Sequence, residues 1–350
     1  MVFDPERLAR ENIRRLVSYS SARHEFAGDA EIYLDANENA FGSPIETQLN
    51  RYPDPLQIAL KEKIAALKGV NPSQIFLGNG SDEGIDLLFR IFCESGSDEV
   101  IICPPTYGMY KVAADIGGVS INEIPLKSDF QLDVPRILEG VKSQTKLIFI
   151  CSPNNPTGNA VNRDDILHIA ANFQGIVVVD EAYIDFSSER SMIAEIGNYP
   201  NLVVLQTFSK AWGLAGARVG MAFADRAVTA LFNRVKSPYN ISQLSQSAVF
   251  AALDNETLVK KWIDEIIEER KSLAKAFSGL EFVHTVYPSD ANFLLIKVAD
   301  ASAVYEFLLE KKIVVRDRSN VRLCEGCLRI TIGTPEENER LLEALINFEI

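Results

Sequence analysis

The chain has 350 residues, of which 47% are apolar and 24% charged, and its 35 basic against 48 acidic side chains leave a formal net charge of -13. Such a length can bury a large core and favours two domains over one. The acidic balance argues against nucleic acid or an anionic membrane as the main partner, and no stretch approaches the roughly 18 uninterrupted apolar residues of a spanning helix.

The first residues, MVFDPERLARENIRRL, are charged and periodic without the apolar core of a signal peptide, so a cytoplasmic protein is expected. Residues 1–45 carry too few apolar runs for a domain of their own and read as an arm packed on other parts. From about residue 57 to 235 the apolar runs QIFLG, DEVIIC, KLIFIC, GIVVVD and NLVVLQ alternate with helix-spaced segments such as EGIDLLFRIF and RDDILHIAANF. Continuous hydrophobicity points to strands buried on both faces, and the helices between them supply crossovers, so a mostly parallel sheet in an α/β domain over 46–240 is predicted. Beyond about residue 240, ISQLSQSAVFAALDN and the long charged helix ETLVKKWIDEIIEERKSLAKAF lead into ANFLLIKV and CLRITIG, whose greater alternation predicts a smaller α+β domain over 241–350.

The five cysteines, Cys93, Cys103, Cys151, Cys324 and Cys327, are odd in number and lie mostly in or beside apolar runs, which suits reduced core thiols. Cys324 and Cys327 make one CxxC. With no second pair, and with His24, His168 and His284 scattered along the chain, no metal site is expected.

Ligands of open parallel sheets bind beyond the carboxyl ends of the strands. There the chain offers a consistent set: Gly78, Asn79 and Gly80 turning into a helix that opens at Ser81 or Asp82; Tyr107 in PPTYGMY after VIIC; Asn155 in SPNNPTG after LIFIC; Asp180 and Tyr183 in DEAY after IVVV; and Lys210 in TFSKAWGLAGARVG after VVLQ. On its own, GNGSDEG reads equally as a phosphate cradle, with free N–H groups at a helix start, or as an ordinary turn capped by Asp82. Its glycines do not match GxGxxG, and no GxxxxGK[ST] loop occurs. Lys210 alone reads either as a charge leading a strand back into water or as a buried nucleophilic amine whose proton is lost through desolvation. An amine, a carboxylate, a phenol, an amide, an aromatic face, an anion cradle and the nearby Arg218 are together what pyridoxal phosphate requires.

SKAWGLAGARVG, SPNNPTG and VVDEAYIDF jointly resemble the fold-type I aminotransferases, and CPPTYGMY, DANEN, NRYPDP and CLRITIGT narrow the resemblance to the histidinol-phosphate aminotransferases, in order along essentially the whole chain. The resemblance implies a large domain with a seven-stranded, mostly parallel sheet, a small C-terminal domain, and an arm that packs with the small domain and a dimer partner. It makes Lys210 the Schiff-base lysine, Asp180 the partner of the ring nitrogen, Asn155 and Tyr183 the partners of the phenolic oxygen, and Tyr107 the ring-stacking residue. Cofactor phosphate would fall to Ser81, Asp82, Thr207, Ser209 and Arg218, and to Tyr52 from the neighbouring subunit, whose bland reading is a residue ordering a proline-flanked loop. Substrate contacts implied are Tyr19, Asn155, Arg316 for a phosphate and Arg329 for the carboxylate of glutamate; a solvated surface arginine is the other reading of Arg316. The activity expected is transamination between L-histidinol phosphate and 2-oxoglutarate in histidine biosynthesis. Rival readings are an aromatic amino acid aminotransferase, a threonine-phosphate decarboxylase, and a pyridoxal-binding regulator, which would normally need a DNA-binding module that the chain lacks.

Overall fold

Seven strands form the larger of two sheets: β1 (Ile75–Asn79), β2 (Glu99–Ile102), β3 (Ser120–Glu123), β4 (Thr145–Cys151), β5 (Ile176–Asp180), β6 (Leu202–Thr207) and β7 (Val219–Ala224), in the order β1-β7-β6-β5-β4-β2-β3. A computed structural model describes residues 3–19 and 31–348 of the chain. Strands β6, β5, β4, β2 and β3 run parallel, and β7 is antiparallel to both its neighbours, β6 and β1. The continuous apolar runs are explained by two-sided burial. Ile148, Ile150, Val177 and Val179 point into one hydrophobic cluster, while Leu147, Phe149, Ile176 and Val178 point into the other, all at most 1% exposed. Each such side chain contributes roughly 1.5–3 kcal/mol by leaving water.

Helices Gly80–Phe92, Met109–Gly117 and Arg226–Val235 cover one face through Leu88, Ala114 and Leu231, and helices Ile58–Lys68 and Arg163–Asn172 cover the other through Ile64 and Ile169. Local chemistry fixes their ends. Asp225 accepts a hydrogen bond from the Ala227 N–H at 2.8 Å, and Gly118 adopts the left-handed conformation (φ 62°) that closes Met109–Gly117.

Two strands differ from the sequence expectation. Strand β3 is the edge strand SINE, too polar to register as an apolar run, and β7 is VGMAFA, whose small residues continue a glycine-rich stretch. The helix after β1 begins at Gly80, one residue before the expected start.

The smaller sheet is antiparallel, with β8 (Val283–Val286), β9 (Phe293–Val298), β10 (Arg316–Asp317) and β11 (Cys327–Thr331) in the order β10-β11-β9-β8. Strand β9 is central and buried along nearly all its length, instead of alternating as its sequence position suggested, because helices and the large sheet cover its two faces. The helix Pro335–Ile346 that backs this sheet starts with a reciprocal capping box between Thr334 and Glu337.

The described part of the N-terminal stretch packs on the outer helix layer of the large sheet. Ala9 and Ile13 join that cluster, and ion pairs Arg10–Glu94 (2.9 Å) and Arg234–Glu6 (2.6 Å) flank them. All five cysteines are buried free thiols. His24 lies outside the described residues. Among the described residues no helix is long and apolar enough to cross a membrane.

Candidate active site

Parallel strand direction brings the ends of β1, β2, β4, β5 and β6 to one rim, and the loops there surround a cavity of about 690 Å³. Its walls include Ser81, Asp82, Tyr107, Asn155, Asp180, Tyr183, Thr207, Ser209, Lys210 and Arg218 from the large sheet, and Arg316 and Arg329 from the small one. Every residue implied for the site within one subunit except Tyr19 is therefore gathered into one space.

At the floor lies Asp180, 3% exposed at the end of β5. Its Oδ2 accepts from the hydroxyl of Tyr110 at 2.7 Å and its Oδ1 from the N–H of Ala182 at 3.2 Å. Burial raises its pKa to about 6, and the Tyr110 hydrogen bond opposes that rise. Tyr110 is itself fully buried, stacked on Phe149 with ring centroids 4.8 Å apart.

Lys210 follows β6, the strand beside β5. Its side chain is exposed and not buried as expected, because it follows the end of β6 and lines an open cavity that residues of both sheets surround. Enough protein surrounds it that desolvation still lowers the amine's pKa, with the positive charge of Arg329 acting in the same direction and Asp180 opposing. The amine stands 5.5 Å from the centre of the Tyr183 ring.

On the other side, the helix starting at Gly80 has no side-chain cap, so its first N–H groups are not covered by Asn79. Asp82 does not cap it either. Its carboxylate accepts from the Tyr107 hydroxyl (3.1 Å) and pairs with Arg218 (3.5 Å). Arg218 also reaches the Ser209 hydroxyl at 3.5 Å, which Thr207 holds at 3.0 Å. The Gly80 N–H donates to the Arg218 carbonyl at 3.0 Å, tying the start of this helix to the loop that carries Lys210. Gly80 has φ 71°, and a Cβ there would stand 2.7 Å from the Arg218 guanidinium. Uncapped N–H groups, two hydroxyls and a guanidinium form a donor set for a phosphate.

Asn155 links the two sheets. Its amide donates to the Tyr183 hydroxyl at 3.4 Å and its oxygen accepts from Arg329 at 2.5 Å. Arg329 lies opposite Arg316 across the β10–β11 ladder and stacks over Phe293 at 5.2 Å.

Two predicted residues lie off this cavity. Tyr19 is 74% exposed and is not among the described residues that line the cavity; residues 20–30, which follow it, lie outside the described part. Tyr52 is 51% exposed and stacks on Tyr239 with ring centroids 4.4 Å apart. Sequence reasoning missed Tyr110 and Arg318. Tyr110 follows Tyr107 by three residues, the spacing of one helix face, and Arg318 follows Arg316 by two, the spacing of one strand face.

An amine beside a buried carboxylate, a phosphate cradle and an aromatic wall fit pyridoxal phosphate in size and chemistry. The profile of the family "aminotransferase class I and II" matches residues 33–345. The chain is 53% identical over 347 residues to a histidinol-phosphate aminotransferase of Parabacteroides distasonis, covering 99% of each, and 50% identical to the one from Cytophaga hutchinsonii, again covering 99% of each. Among solved structures, the histidinol-phosphate aminotransferase from Clostridium acetobutylicum superposes with a TM-score of 0.79 at 26% identity, over 85% of this chain and 90% of that one.

Proposed function

The chain belongs to the class I and II aminotransferase family, and from that premise we propose that it moves an amino group between L-histidinol phosphate and 2-oxoglutarate, giving imidazole acetol phosphate and L-glutamate, as a cytoplasmic step of histidine biosynthesis. One observation carries the reading. A single cavity joins an amine and a buried carboxylate from neighbouring strands to guanidiniums on the small sheet. The first pair suits a cofactor with an aldehyde and a ring nitrogen, and the guanidiniums suit substrates that are all anions.

Pyridoxal phosphate, when bound, supplies an aldehyde that takes up the substrate amine and a ring that accepts the electrons left when a carbon–hydrogen bond breaks. Ser81, Asp82, Thr207, Ser209 and Arg218 hold its phosphate, aided by the dipole of the helix Gly80–Phe92. Asp180 keeps a proton on the ring nitrogen, and the Tyr110 hydroxyl fixes the carboxylate for that task. Asn155 and Tyr183 would hydrogen-bond the phenolic oxygen, and Tyr107 would supply an aromatic face for the ring. The Lys210 amine, its pKa lowered, would take the proton from the amine-bearing carbon of the substrate and deliver it to the carbon that had been the cofactor's aldehyde. Arg329 receives the glutamate carboxylate, and Arg316 and Tyr19 add contacts for the phosphate ester.

Residues 46–240 serve as the cofactor-binding unit, 241–350 as the substrate-side unit, and residues 1–45 as an arm toward a second subunit. Tyr52 then reaches the cofactor phosphate of that subunit, making a homodimer with shared sites. Support comes from Tyr52 standing half exposed off its own cavity, and from Ile32, Leu34, Phe41 and Ile45, apolar side chains left exposed in the preceding stretch.

The test is a single half-reaction. Protein loaded with pyridoxal phosphate is mixed with histidinol phosphate alone, and the visible absorbance of the aldehyde form is followed; phenylalanine, glutamate and threonine phosphate run in parallel. Bleaching by histidinol phosphate and by glutamate is expected. A response confined to phenylalanine, or carbon dioxide released from threonine phosphate, overturns the substrate assignment.

A further inference from the structure

Arg318 lines the same cavity as Lys210, yet no step above uses it. The Arg318 N–H donates to the Cys327 carbonyl at 2.9 Å, one position beyond the Asp317–Leu328 pair, so the β10–β11 ladder continues through it. Side chains two apart on a strand share a face, which puts Arg318 on the side of Arg316, with Arg329 opposite Arg316. Its Nε is shut off from solvent without a hydrogen-bond partner among the described residues. Asp317, the nearest carboxylate in sequence, directs its Oδ1 to the N–H and hydroxyl of Ser319 at 2.7 and 2.6 Å. Burial and the charge of Arg316 both act against its positive charge.

On this half-exposed side chain, beside two other guanidiniums, the enclosed Nε is a donor left unmet, as is the Nε of Arg329, and an anion in the cavity would complete it. The anions of the proposed reaction differ in what they need. The α-carboxylate of glutamate presents two oxygens and one charge, which a single guanidinium can meet by bidentate pairing. A phosphate monoester presents three free oxygens and up to two charges, and it stands a methylene and an ester oxygen further from the amine-bearing carbon. Arg318 stands about 7 Å along the strand from Arg316 and lines the same cavity, so it offers a longer anion a further donor.

Resting on the histidinol-phosphate reading above, we propose that Arg318, beside Arg316, gives this site its discrimination of a phosphate monoester from a carboxylate, adding a contact to the phosphate of the phosphorylated substrate that glutamate, held by Arg329, does not use.

The test uses the holoenzyme and its Arg318→Gln and Arg318→Lys variants. In a ping-pong reaction each substrate's kcat/KM reports its own half-reaction, so the two substrates are read independently. For Arg318→Gln, kcat/KM for histidinol phosphate falls about 10- to 100-fold, the loss of a charge-assisted hydrogen bond, while that for glutamate changes less than about 3-fold. The inhibition constant for inorganic phosphate rises with it, and Arg318→Lys recovers part of both losses. Equal loss for both substrates, or none for either, overturns the proposal while the wild-type response to histidinol phosphate preserves the functional reading. A wild-type enzyme indifferent to histidinol phosphate overturns both. Should Arg318→Gln fail to fold, the same comparison between wild type and Arg318→Lys, with phosphate inhibition as the second readout, decides the matter.

Discussion

Asp180 ends β5 and Lys210 follows the adjacent strand β6, and burial acts on each in the direction that favours its neutral form. For Asp180 this has a sign that can be measured. Its folded-state pKa of about 6 lies above the unfolded value of 3.8, so its contribution to stability is full below about pH 4 and is lost as pH rises through 6, on the order of 2–3 kcal/mol. Asp180→Asn should therefore raise the thermal midpoint of the cofactor-free protein by a few degrees at pH 8 and by much less near pH 4. The same variant should lose about 10²- to 10³-fold in turnover, because a neutral amide cannot keep the ring nitrogen protonated. Midpoints that differ equally at both pH values would remove burial of this carboxyl as the cause. Lys210→Ala should lose about 10⁴-fold or more, while holding pyridoxal phosphate by its phosphate contacts; transaminase activity near wild type would end its assignment. Lys210, Asp180, Asn155 and Tyr107 were legible in the sequence because each follows an apolar run, and parallel strands end on one rim. Tyr110 was not, since a tyrosine on the apolar face of a helix looks like core until its hydroxyl is found 2.7 Å from Asp180.

At the scale of elements, the proposed phosphate site depends on the junction of β1, β7 and the helix from Gly80. A Cβ on Gly220 would approach the Ser81 nitrogen to 2.1 Å, so β7 can lie against that helix start only as glycine. Gly80→Ala is the milder probe, because its Cβ meets the end of the flexible Arg218 side chain. It should cost about 1–3 kcal/mol through its positive φ and raise the Kd for pyridoxal phosphate about 10-fold or more, read by absorbance titration. Unchanged affinity would show that Arg218 finds another path to the phosphate. Most of this layer was legible: the helix Glu256–Phe277 has the bounds its charged, periodic sequence set out. Direction was not. VGMAFA carries no mark of running against its neighbours, and reversal of β7 depends on the tight loop that Lys210 and Arg218 share.

For the whole molecule, the proposed shared site ties cofactor affinity to the presence of a second subunit. Sedimentation should give about twice the 38.8 kDa of the chain, and Tyr52→Phe should weaken pyridoxal phosphate binding about 5- to 20-fold without changing that mass. A monomer with full activity would return Tyr52 to the role of ordering its own loop. The cavity is divided by origin. Everything suited to the cofactor comes from the large sheet, whereas Arg316, Arg318 and Arg329 all come from one short hairpin of the small sheet, joined to the rest of the site through Asn155. Inheritance can act on those two halves separately. A descendant could trade one charged side chain in that hairpin and acquire a new substrate while keeping its chemistry intact.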